Sequence, residues 1–385
     1  MTKFCLNCQI AIILLPMLQK SNRESEKACL VGLSRSSLTR EQSAASLREL
    51  SELTRSAGAL VAREVLQTRD PDPAYYIGRG LVERLKEEFA GNGVNLVIFD
   101  DPLSPAQQRN LEEAFGIKVI DRSMLILDIF ALHARTAAAK LQVELAQLEY
   151  MLPRLTGAWS HFSRQYGGIG TKGPGETQLE TDRRRVRDKI ARLKKDIERL
   201  GVQRETQRKR RRELFKVALV GYTNAGKSTL FNRLTKSGVK VEDKLFTTLD
   251  STSRVMSSGY PERVIFTDTV GFIKKLPHQL VASFKSTLEE AVYADLILKV
   301  IDYSDPGCMD KASQTDKVLV DIGADGVVSV SVYNKIDLTD AVVEFSNSAQ
   351  SGFYLSAATG EGVERLKNHI SDRAVLYFRQ FSKEY

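Results

Sequence analysis

The run Gly221-Tyr222-Thr223-Asn224-Ala225-Gly226-Lys227-Ser228, with Thr229 after it, has the spacing GxxxxGK[ST]. It stands between an apolar stretch, Lys216 to Val220, that predicts a buried strand, and a helical pattern from Thr229 to Leu234. In that context the glycines let the backbone wrap phosphate groups. The helix start offers free amides and a positive dipole end, and Lys227 reaches the β and γ phosphates. Ser228 then holds magnesium. Asp268-Thr269-Val270-Gly271 follows the apolar run Val264-Ile265-Phe266. This puts Asp268 at a strand end, able to hold magnesium through water, and Gly271 where its amide senses the γ phosphate. Asn334-Lys335-Ile336-Asp337 follows the β-rich stretch Val327 to Tyr333. Asp337 can accept the N1–H and the exocyclic amino hydrogens of guanine. Adenine supplies neither, and an unpaired buried carboxylate rejects the wrong base by orders of magnitude. Ser356-Ala357, after Phe353-Tyr354-Leu355, fits the loop whose backbone amides bind the guanine carbonyl. Four motifs in this order imply a GTP-binding domain from about Phe215 to the end.

Between Ser228 and Asp268 a threonine should close over the γ phosphate and magnesium. Phe246-Thr247-Thr248-Leu249-Asp250 supplies it, with Thr248 the choice, and release of that segment on hydrolysis would be the switch. Lys227, Thr248 and Gly271 are therefore the candidate catalytic residues, and Ser228, Thr248 and Asp268 the candidate magnesium set. Phe272 stands where many GTPases place a glutamine to orient the attacking water. A phenyl ring cannot do this, so intrinsic hydrolysis should be slow until a partner surface or a cation completes the site. Asn224 has two readings of equal weight: an oxygen ligand for potassium against the phosphates, or a turn residue that stabilises the loop.

These residues need elements to hold them. From Cys29 to about Asp121, candidate strands (Cys29 to Leu33, Ala59 to Leu66, Asn95 to Phe99, Ile117 to Ile120) alternate with candidate helices (Thr39 to Ser56, Gly80 to Ala90, Ser104 to Phe115). Strict alternation predicts a parallel sheet with crossover helices. Tyr76-Ile77-Gly78-Arg79-Gly80 opens like a dinucleotide fingerprint, but Glu83 occupies the third glycine position and a loop precedes it. Gly78 and Gly80 instead predict a tight turn into the next helix. Beyond Ser123, Leu141, Leu145, Leu148 and Leu152, then Val186, Ile190, Leu193, Ile197 and Leu200, form two heptad seams. A glycine-rich stretch from Pro153 to Gly175 separates them, carrying Arg154, Trp159, His161, Arg164 and Lys172. Such a loop between two seams predicts an antiparallel helical hairpin with a basic tip suited to binding. The expected order is an unplaced segment 1–27, an α/β domain 28–122 with a parallel sheet, the hairpin 123–213, and a P-loop GTPase domain 214–385.

The 385 residues, 42% hydrophobic and 27% charged, suit a globular chain of two or three domains and exclude collagen-like, wholly disordered and multi-span membrane classes. Net charge is +8, yet Arg183 to Lys216 holds sixteen Lys or Arg against five Asp or Glu, a local +11, which leaves about −3 elsewhere. Such a stripe is a footprint for phosphate backbones. Arg183, Arg184 and Arg185 begin it and join Arg154, Trp159, Arg164 and Lys172 as candidate nucleic-acid contacts. Cys5 and Cys8 have a metal-like spacing but no second Cys or His pair nearby. Ile10 to Leu18 is far short of a spanning helix and is interrupted by Pro16. The expectation is a cytoplasmic protein with, at most, a membrane-peripheral fraction.

Gly167 to Glu180, then Thr181-Asp182-Arg183-Arg184-Arg185, directly upstream of this phosphate loop and of Asp-Thr-Val-Gly-Phe, resembles the HflX GTPases. Leu152 to Gly157 and Tyr75 to Gly80 are similar to that family's pattern too, so the resemblance spans about Ala28 to Lys367. It implies a translation-associated GTPase of the Obg-HflX group that binds the large ribosomal subunit; GTP and GDP are the expected ligands, magnesium the expected cofactor, and a monomer the expected state. The N-terminal domain and hairpin would contact ribosomal RNA near the peptidyl-transferase centre, and the GTP-bound protein would split stalled ribosomes under stress. Phe272 matches the family's hydrophobic replacement of the catalytic glutamine, with the ribosome stimulating hydrolysis. Residues 1 to 27 carry no family signature. A GTP-sensing RNA-binding module and a ribosome-assembly GTPase are the competing readings.

Overall fold

The computed structural model describes residues 26–35, 39–155, 174–209, 214–235, 252–256, 263–273, 275, 290–339 and 352–381. It divides into two compact units between Glu198 and Arg199. The first opens with β1 (Lys27–Ser34), α1 (Arg40–Ser56), β2 (Leu60–Thr68), α2 (Arg79–Asn92), β3 (Leu96–Phe99), α3 (Pro105–Phe115) and β4 (Lys118–Asp121). The four strands form one parallel sheet in the order β2-β1-β3-β4. β1 and β3 lie inside the sheet and are almost wholly buried, which is why both read as unbroken apolar runs. β2 lies at the edge and is mostly exposed, and Arg63 and Glu64 face solvent there.

Thr39 and Ser104, expected as first helical residues, are instead N-caps. Each hydroxyl accepts the amide three residues on, from Gln42 or Gln107, whose side chain returns the bond, so two otherwise orphaned donors are satisfied. Gly78 caps α2, the tight turn expected there. Ahead of it Tyr76 holds a left-handed backbone, φ 67°, while its buried hydroxyl donates to Asp101.

α4 (Arg122–His133) and α5 (Ala137–Met151) follow, and α6 (Pro174–Lys209) carries the second seam. α4 is anchored at its first residue: the Arg122 guanidinium, 1% exposed, donates to Asp100 at 2.6 Å and to Glu49 at 2.7 Å. Leu145, Leu148, Val186 and Leu193 close into one cluster, with Leu141, Leu152, Ile190 and Ile197 against it. Glu144 and Lys189 sit just before equivalent seam residues, Leu145 and Ile190. Glu149 and Lys194 sit just after Leu148 and Leu193. Glu144 pairs with Lys189, and Glu149 with Lys194 at 2.9 Å. Pairing between like flanks of the seam is the arrangement of antiparallel helices, in which each flank meets its own kind across the interface.

One sequence boundary moves. Pro174 and Gly175, expected in the loop, open α6, since proline at a first helical position loses no hydrogen bond. α6 then runs unbroken to Lys209. Trp159, His161, Arg164 and Lys172, and the Cys5 and Cys8 pair, lie outside the described residues.

The second unit contains β5 (Phe215–Gly221), α7 (Lys227–Thr235), β6 (Thr252–Met256), β7 (Val264–Asp268), β8 (Leu296–Asp302), α8 (Cys308–Asp321), β9 (Ser329–Asn334), β10 (Phe353–Tyr354) and α9 (Val363–Phe381). The sheet order is β10-β9-β8-β5-β7-β6, parallel throughout except for β6 against β7. Leu219, Phe231, Phe266, Leu298 and Val332 form its core with Leu366, Ile370 and Ala374, which recur at four-residue spacing on α9. β5, β7 and β9 end together at one edge, where open α/β sheets place their ligand sites.

Candidate nucleotide site

β5 delivers the chain into the phosphate loop at Gly221, and α7 begins six residues later at Lys227. Asn224 is exposed with φ 60°, a left-handed conformation that asparagine tolerates, so the turn role is visible at this residue. Gly226 has φ 86°, and a Cβ there would lie 2.2 Å from Asn334 Nδ2. Only glycine lets the loop pass that amide. Asn334, at the end of β9, is 2% exposed and ties two motifs at once. Its Nδ2 donates to Ala225 O at 2.9 Å, and its Oδ1 accepts from Ala357 N at 2.8 Å.

Lys227 is 7% exposed, and its Nζ donates to Gly221 O at 3.0 Å and Tyr222 O at 2.6 Å. An ammonium has three donors, so these two carbonyls leave one for a phosphate oxygen. Burial pushes the Lys227 ammonium down to about 8, partly offset by the Asp268 carboxylate. The charged form is the one that binds phosphate. With this pKa, the free protein keeps Lys227 charged below pH 8 and loses the charge above it. Affinity for GDP should thus be level between pH 6.5 and 7.5 and fall about tenfold by pH 9. Fluorescent-nucleotide titration reads this directly, and a flat profile to pH 9 would contradict it.

Ser228 Oγ donates to Asp268 Oδ2 at 2.7 Å. A hydroxyl and a carboxylate oxygen side by side are the hard donors that suit magnesium with phosphates and waters, so the residues present fit that ion. Thr248, Phe246 and Thr247 lie outside the described residues. Thr229 follows Ser228 in the first turn of α7, half-buried. At Gly271 a Cβ would lie 2.8 Å from Thr223 Cγ2 and 3.0 Å from Lys227 Nζ, so this glycine keeps the space beside the lysine open.

Thr269, expected to bind nucleotide, turns inward. It is wholly buried and its hydroxyl donates to Leu219 O at 2.7 Å, so its side chain braces β5. Val270 is buried beside it, 6% exposed. Phe272 is 3% exposed, and its backbone clamps the phosphate loop: Thr223 N donates to Phe272 O at 2.9 Å, and Phe272 N to Gly221 O at 3.0 Å. The ring is packed away, and no side-chain donor stands at that position.

Lys335 holds φ 66°, which turns the chain into the short helix Ile336–Leu338 and leaves Asp337 exposed. Lys335 Nζ donates to Asp302 Oδ2 at 2.7 Å. Ser356 is wholly buried, and its N–H donates to Glu361 O at 3.0 Å. Of the two expected amides, only Ala357 N–H can serve a base, shared with Asn334 Oδ1.

Sequence reasoning missed Asp302, and Gln314, whose amide oxygen accepts from the Tyr222 hydroxyl of the phosphate loop. It also missed Arg233 on α7. Each partner is brought in from a distant element, and no local pattern marks it.

Of the candidate RNA contacts, Arg154 is held by partners of its own unit. Its guanidinium donates to Leu103 O at 2.8 Å, Tyr150 O at 2.9 Å and Gln108 Oε1 at 3.1 Å, and lies 3.5 Å from buried Asp121. A cation committed this way fastens the end of α5 within its own unit. Arg183 is half-buried, while Arg184 and Arg185 are exposed on α6. Among the described residues no cluster of three or more His, Cys, Asp or Glu could hold a metal, and no helix is long and apolar enough to cross a membrane.

Three family models match the chain in tandem. Residues 44–131 match the GTP-binding GTPase N-terminal region, residues 133–211 the GTP-binding GTPase middle region, and residues 216–335 a 50S ribosome-binding GTPase. The GTPase HflX of Caldanaerobacter subterraneus subsp. tengcongensis is 48% identical over 351 residues, 90% of this chain and 80% of that protein. The GTPase HflX of Escherichia coli is 43% identical over 342 residues, 87% of this chain and 80% of that protein. A crystal structure of SsGBP in complex with GDP aligns with a TM-score of 0.54 and 25% identity, over 91% of this chain and 99% of that one.

Proposed function

The chain belongs to the HflX family of GTPases and is a P-loop GTP hydrolase, and from that premise we propose that its GTP-bound form, a cytoplasmic monomer, binds the large ribosomal subunit and dissociates stalled or idle ribosomes. Hydrolysis then releases it. The observation that carries the reading is the match of the nucleotide unit, residues 216–335, to a 50S ribosome-binding GTPase. The buried Phe272 ring supports the second half: a site lacking a water-orienting side chain hydrolyses slowly until a partner completes it. The exposed cations of α6, Arg184 and Arg185 among them, suit contact with ribosomal RNA phosphates.

Within the site, Lys227 and the amides at the start of α7 bind the phosphates. Gly271 lies beside them, and Asp337 with the Ser356 to Ala357 loop selects guanine. Ser228, Asp268 and Thr248 would hold magnesium, which neutralises charge on the phosphate oxygens as the bond breaks. In this reading Asn224, exposed in the phosphate loop, contributes an oxygen to a potassium ion in the role of an arginine finger. Turnover is then expected to drop several-fold when sodium replaces potassium at equal ionic strength, and equal rates in both salts would remove potassium from the mechanism.

Sedimentation tests the proposal. Intact ribosomes incubated with the protein and a non-hydrolysable GTP analogue should separate into subunits, and those incubated with GDP should not. Binding to the large subunit without separation would favour a GTP-dependent RNA-binding or assembly factor instead.

A further inference from the structure

Arg233 lies on α7, between one and two turns beyond the phosphate-binding residues, and its guanidinium leaves the helix for a loop more than 120 residues away. Nε donates to Ala357 O at 3.1 Å, and Nη2 donates to Ala358 O. The loop bends around this fork. Gly360, at φ 97°, passes so close that a Cβ would sit 3.4 Å from Nη1, and Gly360 N donates to Ser356 O at 2.8 Å. A peptide unit's N–H and C=O are held in one plane. Fixing the carbonyls of Ala357 and Ala358 therefore fixes the directions of the amides of Ala358 and Thr359; the Thr359 amide donates to Ser356 Oγ at 3.1 Å, so the Ala358 amide is the one turned to the base. Asn334 Oδ1 already holds the Ala357 amide from the opposite side.

We propose that Arg233 is a positioning residue for guanine recognition: by gripping two carbonyls of the 356–361 loop from the phosphate-binding helix, it aims the loop's amides at the 6-oxo group of the base. The phosphate half and the base half of the site thus move as one piece. The inference rests on the reading that this loop faces the guanine carbonyl. Its chemistry differs from that of Asp337, which reads N1–H and the 2-amino group, so the two contributions separate by choice of nucleotide.

The test compares binding of GDP, IDP and the diphosphate of 2-aminopurine riboside to the full chain and to Arg233→Met, which keeps the aliphatic stem but removes the fork. IDP retains the 6-oxo group and N1–H and lacks the 2-amino group; the aminopurine analogue keeps the 2-amino group but lacks the 6-oxo group and N1–H, so each nucleotide is compared with itself between the unaltered chain and the variant. Arg233→Met is expected to weaken GDP and IDP by about tenfold each, the loss of a charge-assisted pair of hydrogen bonds. The aminopurine nucleotide should change by less than about twofold. Arg233→Lys, which keeps the charge but not the fork, should fall between, and its thermal midpoint controls for folding. Equal weakening of all three nucleotides would overturn the proposal, since Arg233 would then act on the phosphates or on the fold at large. If the unaltered chain itself binds GDP and the aminopurine nucleotide alike, the reading of the loop fails rather than the role of Arg233.

Discussion

Lys227→Ala is expected to lower GTP and GDP affinity by at least about a hundredfold, because a charge-assisted contact to the nucleotide phosphates disappears. Lys227 is buried, and its Nζ is oriented by the carbonyls of Gly221 and Tyr222, so little conformational freedom remains to be lost when phosphate arrives. The variant should nonetheless fold. Removing a buried ammonium spares its desolvation, and the pH profile shows the sign. A native pKa of about 8 lies below the ordinary lysine value of 10.5, so the unfolded chain binds more protons between those values. Stability of the unaltered chain therefore rises from pH 8 towards 10.5, and Lys227→Ala should lose that rise. Calorimetric titration with GDP and urea unfolding at two pH values measure both effects. A GDP affinity within about threefold of the unaltered chain would place the phosphates elsewhere.

Asp337→Asn should exchange the base. A carboxylate accepts both guanine hydrogens, whereas an amide presents one acceptor and one donor, which matches the N1–H and 2-oxo group of xanthine. Lys335, held left-handed and paired with Asp302, fixes the turn that carries residue 337, so the new side chain starts from the same place. GDP binding is expected to fall by about two orders of magnitude while xanthosine diphosphate gains by a comparable factor. Competition between the two nucleotides reads the switch, and an unchanged preference for GDP would remove Asp337 from base recognition.

How far the sequence was legible follows from how local each determinant is. The four strands and the first three helices of the first unit appear close to where alternation put them, and the inner strands β1 and β3 read as continuous apolar runs because they are buried on both faces of the parallel sheet. Thr39 and Ser104 were visible as boundaries, though as caps rather than helical residues. The phosphate loop was legible because strand, loop and helix are contiguous. Long-range ties were not. Arg154 looks like a free cation in a basic loop, and only the fold shows Asp121, Leu103 and Gln108 around it. Thr269 looks like part of a nucleotide motif, yet β5 claims its hydroxyl. Arg233 and Asn334 reach partners 124 and 109 residues away, a separation no window along the chain detects. β6 escaped notice because five residues on an antiparallel edge carry little pattern.

Phe272 leaves the hydrolytic site without a water-orienting side chain, and on the proposed function the large ribosomal subunit completes it. The most direct test of that completion is GTP turnover by the full chain in potassium buffer, with and without purified large subunits. The prediction is slow hydrolysis alone and a stimulation of at least about tenfold with the subunit. Turnover unchanged by large subunits would contradict it and assign completion of the site to another RNA or protein partner.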